Sequence, residues 1–125
     1  MPMSMRGALG ALVKRACGIE TIYGHTIAPG LLGADPVVVD FGCNRGEFAA
    51  GFCSRFACRY RAGDANPAMV TAASQRLGLD VENVAVGGED GQVEFFLSVN
   101  PEASSIYATI AGAEANEAIR VPGLT

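Results

Sequence analysis

The segment Val37-Val38-Val39-Asp40-Phe41-Gly42-Cys43-Asn44-Arg45-Gly46-Glu47-Phe48 constrains this chain more than any other. A continuous apolar run ends in an acid, passes through a turn bearing two glycines, and enters a helix. A strand that is apolar at successive positions is suited to burial on both faces, which implies a parallel sheet with helices on both sides. Open sheets of that kind bind ligands outside the carboxyl ends of their strands. The glycine spacing then narrows the ligand. A dinucleotide site uses G-x-G-x-x-G, and a phosphate-binding P-loop uses G-x-x-x-x-G-K-[ST]. Here the pattern is Asp-x-Gly-x-Asn-x-Gly with no Lys after the last glycine, so nothing in it is dedicated to a pyrophosphate.

The rest of the chain fits around that segment. Residues 5–17 suit a short helix with Leu9, Leu12, Val13 and Ala16 on one side, stopped by Gly18. Residues 19–27 read as extended, and Pro29-Gly30 and Asp35-Pro36 mark turns. Asn44 is placed to cap the next helix, with Glu47 three residues on to close a capping box. Phe48, Phe52 and Phe56 form one stripe at helical spacing. A second strand over 58–63 ends at Asp64. Asn66-Pro67 then starts a helix whose inner face is Met69, Val70, Ala73 and Leu77, and Gly78 ends it. Residues 81–86 read as a third strand and 93–99 as another, with an Asp-Gly turn between them, so 81–99 suits a hairpin. The alanine-rich stretch 108–119 suits a loose helix or a lid loop.

The order β-α-β-α-β-β is half of a doubly wound sheet. The fold class expected is α/β, Rossmann-like, an open and mostly parallel sheet with flanking helices, truncated after three strands and a hairpin strand. Residues 1–34 form a leading helix and segment, and 35–125 a partial domain. The first strand is normally central, so its free edge becomes an unpaired row of backbone groups. Such an edge suits self-association or a partner strand.

Composition excludes some functions. Nine Lys and Arg against thirteen Asp and Glu give a net charge of −4, a poor balance for nucleic acid. Arg55, Arg59 and Arg61 read as a solvated local cluster. The cysteines at 17, 43, 53 and 58 form no C-x-x-C pair and lie far in sequence from His25, the single His, which argues against a metal site. Cys53 falls on an apolar helix face and reads as a small core residue. Free thiols fit a reducing cytoplasm. The N-terminal apolar run is interrupted too soon for a membrane span and lacks a convincing signal-cleavage site.

A cofactor with an amino-acid tail and no phosphate, S-adenosylmethionine (SAM), suits the glycine turn. Gly42 and Gly46 let backbone approach a ligand without a Cβ in the way. Backbone N–H groups at a helix start hold a carboxylate. Asp40 is placed for the ammonium, and Asp64, ending the second strand, for the two ribose hydroxyls.

These residues resemble a known family. Residues 40–48, Asp-Phe-Gly-Cys-Asn-Arg-Gly-Glu-Phe, are similar to the first motif of FkbM-type class I methyltransferases, D-x-G-A-N-x-G. Asp64-Ala65-Asn66-Pro67 resembles their E-P-N-P segment. Residues 83–93 resemble their strand, Gly-Asp-Gly-like turn and strand, and Ala103-Ser104-Ser105 also matches. The resemblance covers about residues 35–105, and it implies methyl transfer from SAM to a hydroxyl of a small molecule or glycan. It implies that Asp40, Phe41, Gly42, Cys43, Asn44 and Gly46 cradle SAM and that Asp64, with Ala65 beside it, binds the ribose. Asn66 and Ala85 then lie around the adenine. Cys43 stands where the family has Ala, Ala65 where it has Pro, and Asp64 where it commonly has Glu. The family's next motif, a strand of Lys-x-Asp-x-Glu-Gly character that carries much of the acceptor site, would begin after Thr125.

Direct methyl transfer depends on alignment of acceptor, methyl and sulfur, and a hydroxyl acceptor benefits from a base within hydrogen-bond reach. The sequence identifies no catalytic base. His25 is the single imidazole, with Tyr23 close by, and a leading segment folded over SAM would bring it near; Glu47 is better explained by capping. The alternative functions are a non-catalytic methyltransferase-like fragment and a binding module completed by a partner. A Rossmann-type oxidoreductase is disfavoured by the missing middle glycine.

Overall fold

A computed structural model describes residues 5–88, 90–100, 104, 106 and 115–125. The elements are α1 (Met5–Ala16), β1 (Glu20–Ile22), β2 (His25–Ile27), a 3-10 turn at Pro29–Leu31, β3 (Val37–Phe41), α2 (Glu47–Arg55), β4 (Arg59–Asp64), α3 (Pro67–Leu77), β5 (Val81–Asn83), β6 (Ala85–Val86), β7 (Gly91–Ser98) and β8 (Ala115–Leu124). They form a mixed α/β structure around a three-stranded parallel sheet in the order β3-β4-β5.

The sheet is covered by helices on one face. Tyr60 and Ala62 of β4 pack with Val70, Ala73 and Leu77 of α3, and the Phe52 ring of α2 lies 6.3 Å from that of Tyr60. Val38 and Asp40 of β3 share this covered face. Side chains alternate along a strand, so Val37, Val39 and Phe41 point to the other face, where Val37 and Val39 are each 55% exposed. The expectation of helices on both sides is therefore corrected for the described residues. Among the described residues β3 pairs only with β4 and lies at the sheet's edge.

Local signals explain both helices that build this layer. The Asn66 side chain accepts the Ala68 N–H at 3.0 Å, Pro67 takes the first helical position, and Gly78 ends α3 in the left-handed region at φ 63°. α2 begins differently from expectation. Its N-cap is Gly46 at φ 77°, without a side-chain cap, so Asn44 lies two residues before the cap and Glu47 is the first helical residue. The capping box is not formed. Asn44 itself has φ 52°, a left-handed conformation that Asn tolerates better than most residues. The aromatic stripe forms as read, with centroids 5.8 Å apart for Phe48 and Phe52 and 5.0 Å for Phe52 and Phe56.

The extended leading segment is a hairpin, β1 against β2, turning at Tyr23 and Gly24, both with positive φ. It docks on α2 where Gly51 has no side chain: a Cβ there would sit 2.8 Å from Ile22 Cγ2. Arg55 and Glu20 add an ion pair at 2.6 Å. The Arg cluster is paired throughout, Arg59 with Asp35 at 2.9 Å and Arg61 with Glu82, all on the surface, where such pairs contribute little.

The C-terminal part departs most from expectation. The stretch expected as one strand over 81–86 breaks at Val84 into β5 and β6, which belong to different sheets. β6 and β7 do not form a hairpin with each other. β8 lies between them, parallel to β6 and antiparallel to β7. Residues 115–119, expected as helix or loop, are thus strand. Ile119 and Val121 point inward while Arg120 and Pro122 are exposed, a period of two. Val121, 1% exposed, packs with Ala65, Ala85 and Phe95 in a second core. Residues 108–114, Ala103 and Ser105 lie outside the described residues.

Candidate functional site

The carboxyl ends of β3 and β4, the turn after β3 and residues 84–86 enclose a cleft of about 500 Å³. Of the ten residues the sequence points to, Phe41, Gly42, Asn44, Asp64, Ala65 and Ala85 line it. Met69, Val84, Val86, Phe95, Ser104 and Ile106 complete the wall and were not anticipated. Apart from Ser104, which falls in the 103–105 match, these residues are apolar, and apolarity in sequence is indistinguishable from core.

Asp64 organises the rim. Its Oδ2 accepts the Asn44 N–H at 2.9 Å and its Oδ1 accepts the Asn66 N–H at 2.9 Å. One carboxylate thus ties the turn after β3 to the turn before α3. An ionised carboxylate offers about four lone-pair sites, so two N–H donors leave acceptor capacity for a ligand. The Asn83 amide fixes the same turn from the other side, donating to the carbonyls of Asp64 and Ala65, each at 3.0 Å. Gly63 accepts from Gly42 N–H at 2.8 Å and Cys43 N–H at 3.1 Å, so the glycine turn folds back over β4. Arg76 of α3 donates from Nε to the Arg45 carbonyl at 2.8 Å and pairs with Glu47 at 3.6 Å. Arg76 has no signal in sequence, and Asn83 has only its place at the start of the 83–93 resemblance.

The two glycines play different parts. At Gly42, φ 83°, a Cβ would meet nothing within 4 Å, so the backbone is presented to open space. At Gly46, φ 77°, a Cβ would lie 3.4 Å from Ala73 Cα and Cβ and from Leu77 Cδ1. Gly46 serves helix packing behind the cleft.

The other residues pointed to by sequence also lie behind the wall. Asp40 Oδ2 accepts the Tyr60 hydroxyl at 2.7 Å on the helix-covered face. Burial, then this bond, push the Tyr60 hydroxyl well above its ordinary range. Asp40 is thus engaged away from the cleft, unlike the expected contact with an ammonium. Cys43 is buried with Ala62, Ala73 and Val81, and its thiol is pushed up to about 11 by burial and then by the charges of Asp64 and Asp40. Asn66 is buried as the α3 cap. Cys53, read as core, is exposed.

His25 packs edge-on against Phe48, with ring centroids 4.8 Å apart, and Tyr23 is an exposed turn residue. Neither lines the cleft. Among the described residues, no three His, Cys, Asp or Glu side chains gather as a metal site would require, and no helix is long and apolar enough to cross a membrane.

Comparison of the chain with protein-family models, with curated proteins and with solved structures finds no match. The likeness to FkbM-type methyltransferases rests on the motifs quoted above.

Proposed function

We propose that the cleft binds SAM and that the chain supplies the cofactor site of an O-methyltransferase acting on a hydroxyl of a small molecule or glycan. The observation that carries this reading is the Asp64 carboxylate. It sits at the end of the second parallel strand, held by two backbone N–H groups at 2.9 Å, with acceptor capacity left over, on the rim of a cleft of about 500 Å³. A carboxylate with acceptor capacity left can receive the hydroxyls of a vicinal diol, and a ribose supplies one. Gly42 turns open backbone toward the same space. Met69, Val84, Ala85, Phe95 and Ile106 give an apolar wall suited to a planar base.

Asp64 and Ala65 would hold the ribose, Phe41, Gly42 and Asn44 the amino-acid end, and Ala85 with its apolar neighbours the adenine. Asp40, Cys43, Gly46 and Asn66 support these groups from behind. When bound, SAM supplies an electrophilic methyl group on a sulfonium. The residues here bind and orient it, and no described side chain in the cleft is an imidazole or Lys poised as a base.

Calorimetric titration of the folded chain with S-adenosylhomocysteine, with NAD as control, tests the reading. Saturable binding of the former alone supports it. Binding of NAD in its place contradicts it.

A second reading, a module completed by a partner strand, is favoured by the β3 edge, unpaired among the described residues, and by the exposure of Val37, Val39 and Phe41 beside it.

A further inference from the structure

The four cysteines differ in their surroundings. Cys43 is buried, Cys17 is exposed at the end of α1, and Cys53 and Cys58 face each other with sulfurs 3.9 Å apart. Cys53 lies in the last turn of α2 and is exposed, and Cys58 immediately precedes β4 and is partly exposed. The turn at 56–57 therefore brings two accessible thiols to van der Waals contact. Bonding would shorten the sulfur–sulfur separation from 3.9 Å to about 2.05 Å.

We propose that Cys53 and Cys58 are a reversible redox pair, closing to an intramolecular disulfide by exchange with a low-molecular-weight disulfide such as glutathione disulfide. One thiol loses its proton and its sulfur attacks a sulfur of glutathione disulfide. A protein–glutathione mixed disulfide forms, and one glutathione thiolate leaves and takes up a proton. The neighbouring thiol then attacks the protein sulfur of that mixed disulfide and expels the second glutathione as thiol. The pair gives up two electrons and two protons, and glutathione disulfide is reduced to two glutathione molecules. The second step is intramolecular and favoured by proximity. Excess reduced glutathione runs the sequence backwards.

The bond would fasten the end of α2 to the start of β4. Phe52, in the same turn of α2 as Cys53, is in ring contact with Tyr60 of β4, whose hydroxyl holds Asp40. The pair thus lies on the covered side of the sheet, and the inference is independent of what the cleft binds.

The test uses the purified full chain, incubated with excess glutathione disulfide, blocked with N-ethylmaleimide and digested with trypsin without reductant. Cleavage after Arg45, Arg55 and Arg59 separates Cys53 and Cys58 into peptides 46–55 and 56–59. The expected product is these two peptides joined, lighter than their sum by two hydrogens and released by reductant. It should exceed the glutathione adducts of either peptide by about tenfold, while Cys17 stops at its adduct. In Cys53→Ser, Cys58 should keep its glutathione, and in Cys58→Ser, Cys53 should. Separate stable adducts on both cysteines of the unaltered chain would overturn the proposal. So would thiols at 53 and 58 that remain open to the blocking reagent after Cys17 has reacted completely.

Discussion

The carboxylate of Asp64 and the backbone N–H of Asn44 meet at 2.9 Å across twenty residues of sequence. That bond makes the glycine turn after β3 and the end of β4 one rim. Asp64 is therefore both a support of the turn and the best-placed acceptor for a ligand. Asp64→Ala removes the carboxylate that accepts the N–H groups of Asn44 and Asn66. The expected cost is about 1–3 kcal/mol, since bonds to a charged acceptor are the stronger kind. Asp64→Asn keeps one acceptor oxygen and should fall between. Urea denaturation measures both, and a cost within error of zero for Asp64→Ala would contradict the role given to the bond.

Gly42 and Gly46 should separate by substitution. Both have positive φ, so alanine at either costs roughly 1 kcal/mol in backbone strain. Only at Gly46 does the new Cβ also press on Ala73 and Leu77, at 3.4 Å. Thermal melts should show Gly46→Ala as the more destabilised of the two. Ligand binding should suffer more in Gly42→Ala, whose Cβ enters the space at the cleft. The reverse order on both measures would contradict the division.

Alkaline pH should weaken the fold through Cys43. Its thiol is held at about 11 when folded, against an ordinary 9.0, because burial disfavours the thiolate. Between these values the unfolded chain has lost the proton that the folded chain keeps. Stability is therefore full below about pH 9 and falls as pH rises through the window, by an amount on the order of 2 kcal/mol. Tyr60 adds a slope of the same sign above the ordinary tyrosine range. Cys43→Ala should flatten the decline between pH 9 and 11, leaving the contributions of Tyr60 and the exposed Cys53. Urea midpoints measured across that range check it, and an unchanged slope in the variant would contradict it.

What the sequence made legible was mostly local. The caps of α3, Asn66 and Gly78, act within one turn of the residues they satisfy, and they were read correctly. That Asp64 ends β4 was legible because an acid followed by Asn-Pro marks the passage from a strand to a helix. The cap of α2 was misread because Asn44 and Gly46 both suit the position, and the left-handed backbone of Gly46 decided it through packing on α3. β8 was missed because its inward residues, Ile119 and Val121, sit at the edge of an alanine-rich run and pair with strands more than twenty residues distant. The bare face of β3 was misjudged for a different reason. An apolar run reports that both faces are suited to burial, and it carries no information on what covers them. Asn83 and Arg76, which fix the rim from elsewhere in the chain, were beyond any local pattern.

Backbone amide NMR of the labelled chain during titration with S-adenosylhomocysteine tests the binding site most directly. Saturable shifts should concentrate at Gly42, Asn44, Asp64, Ala65 and Ala85, with Gly10, Lys14 and Thr21 of the N-terminal part unmoved. A folded chain whose spectrum does not change at saturating ligand, or changes only in that N-terminal part, would contradict the assignment of the cleft to SAM.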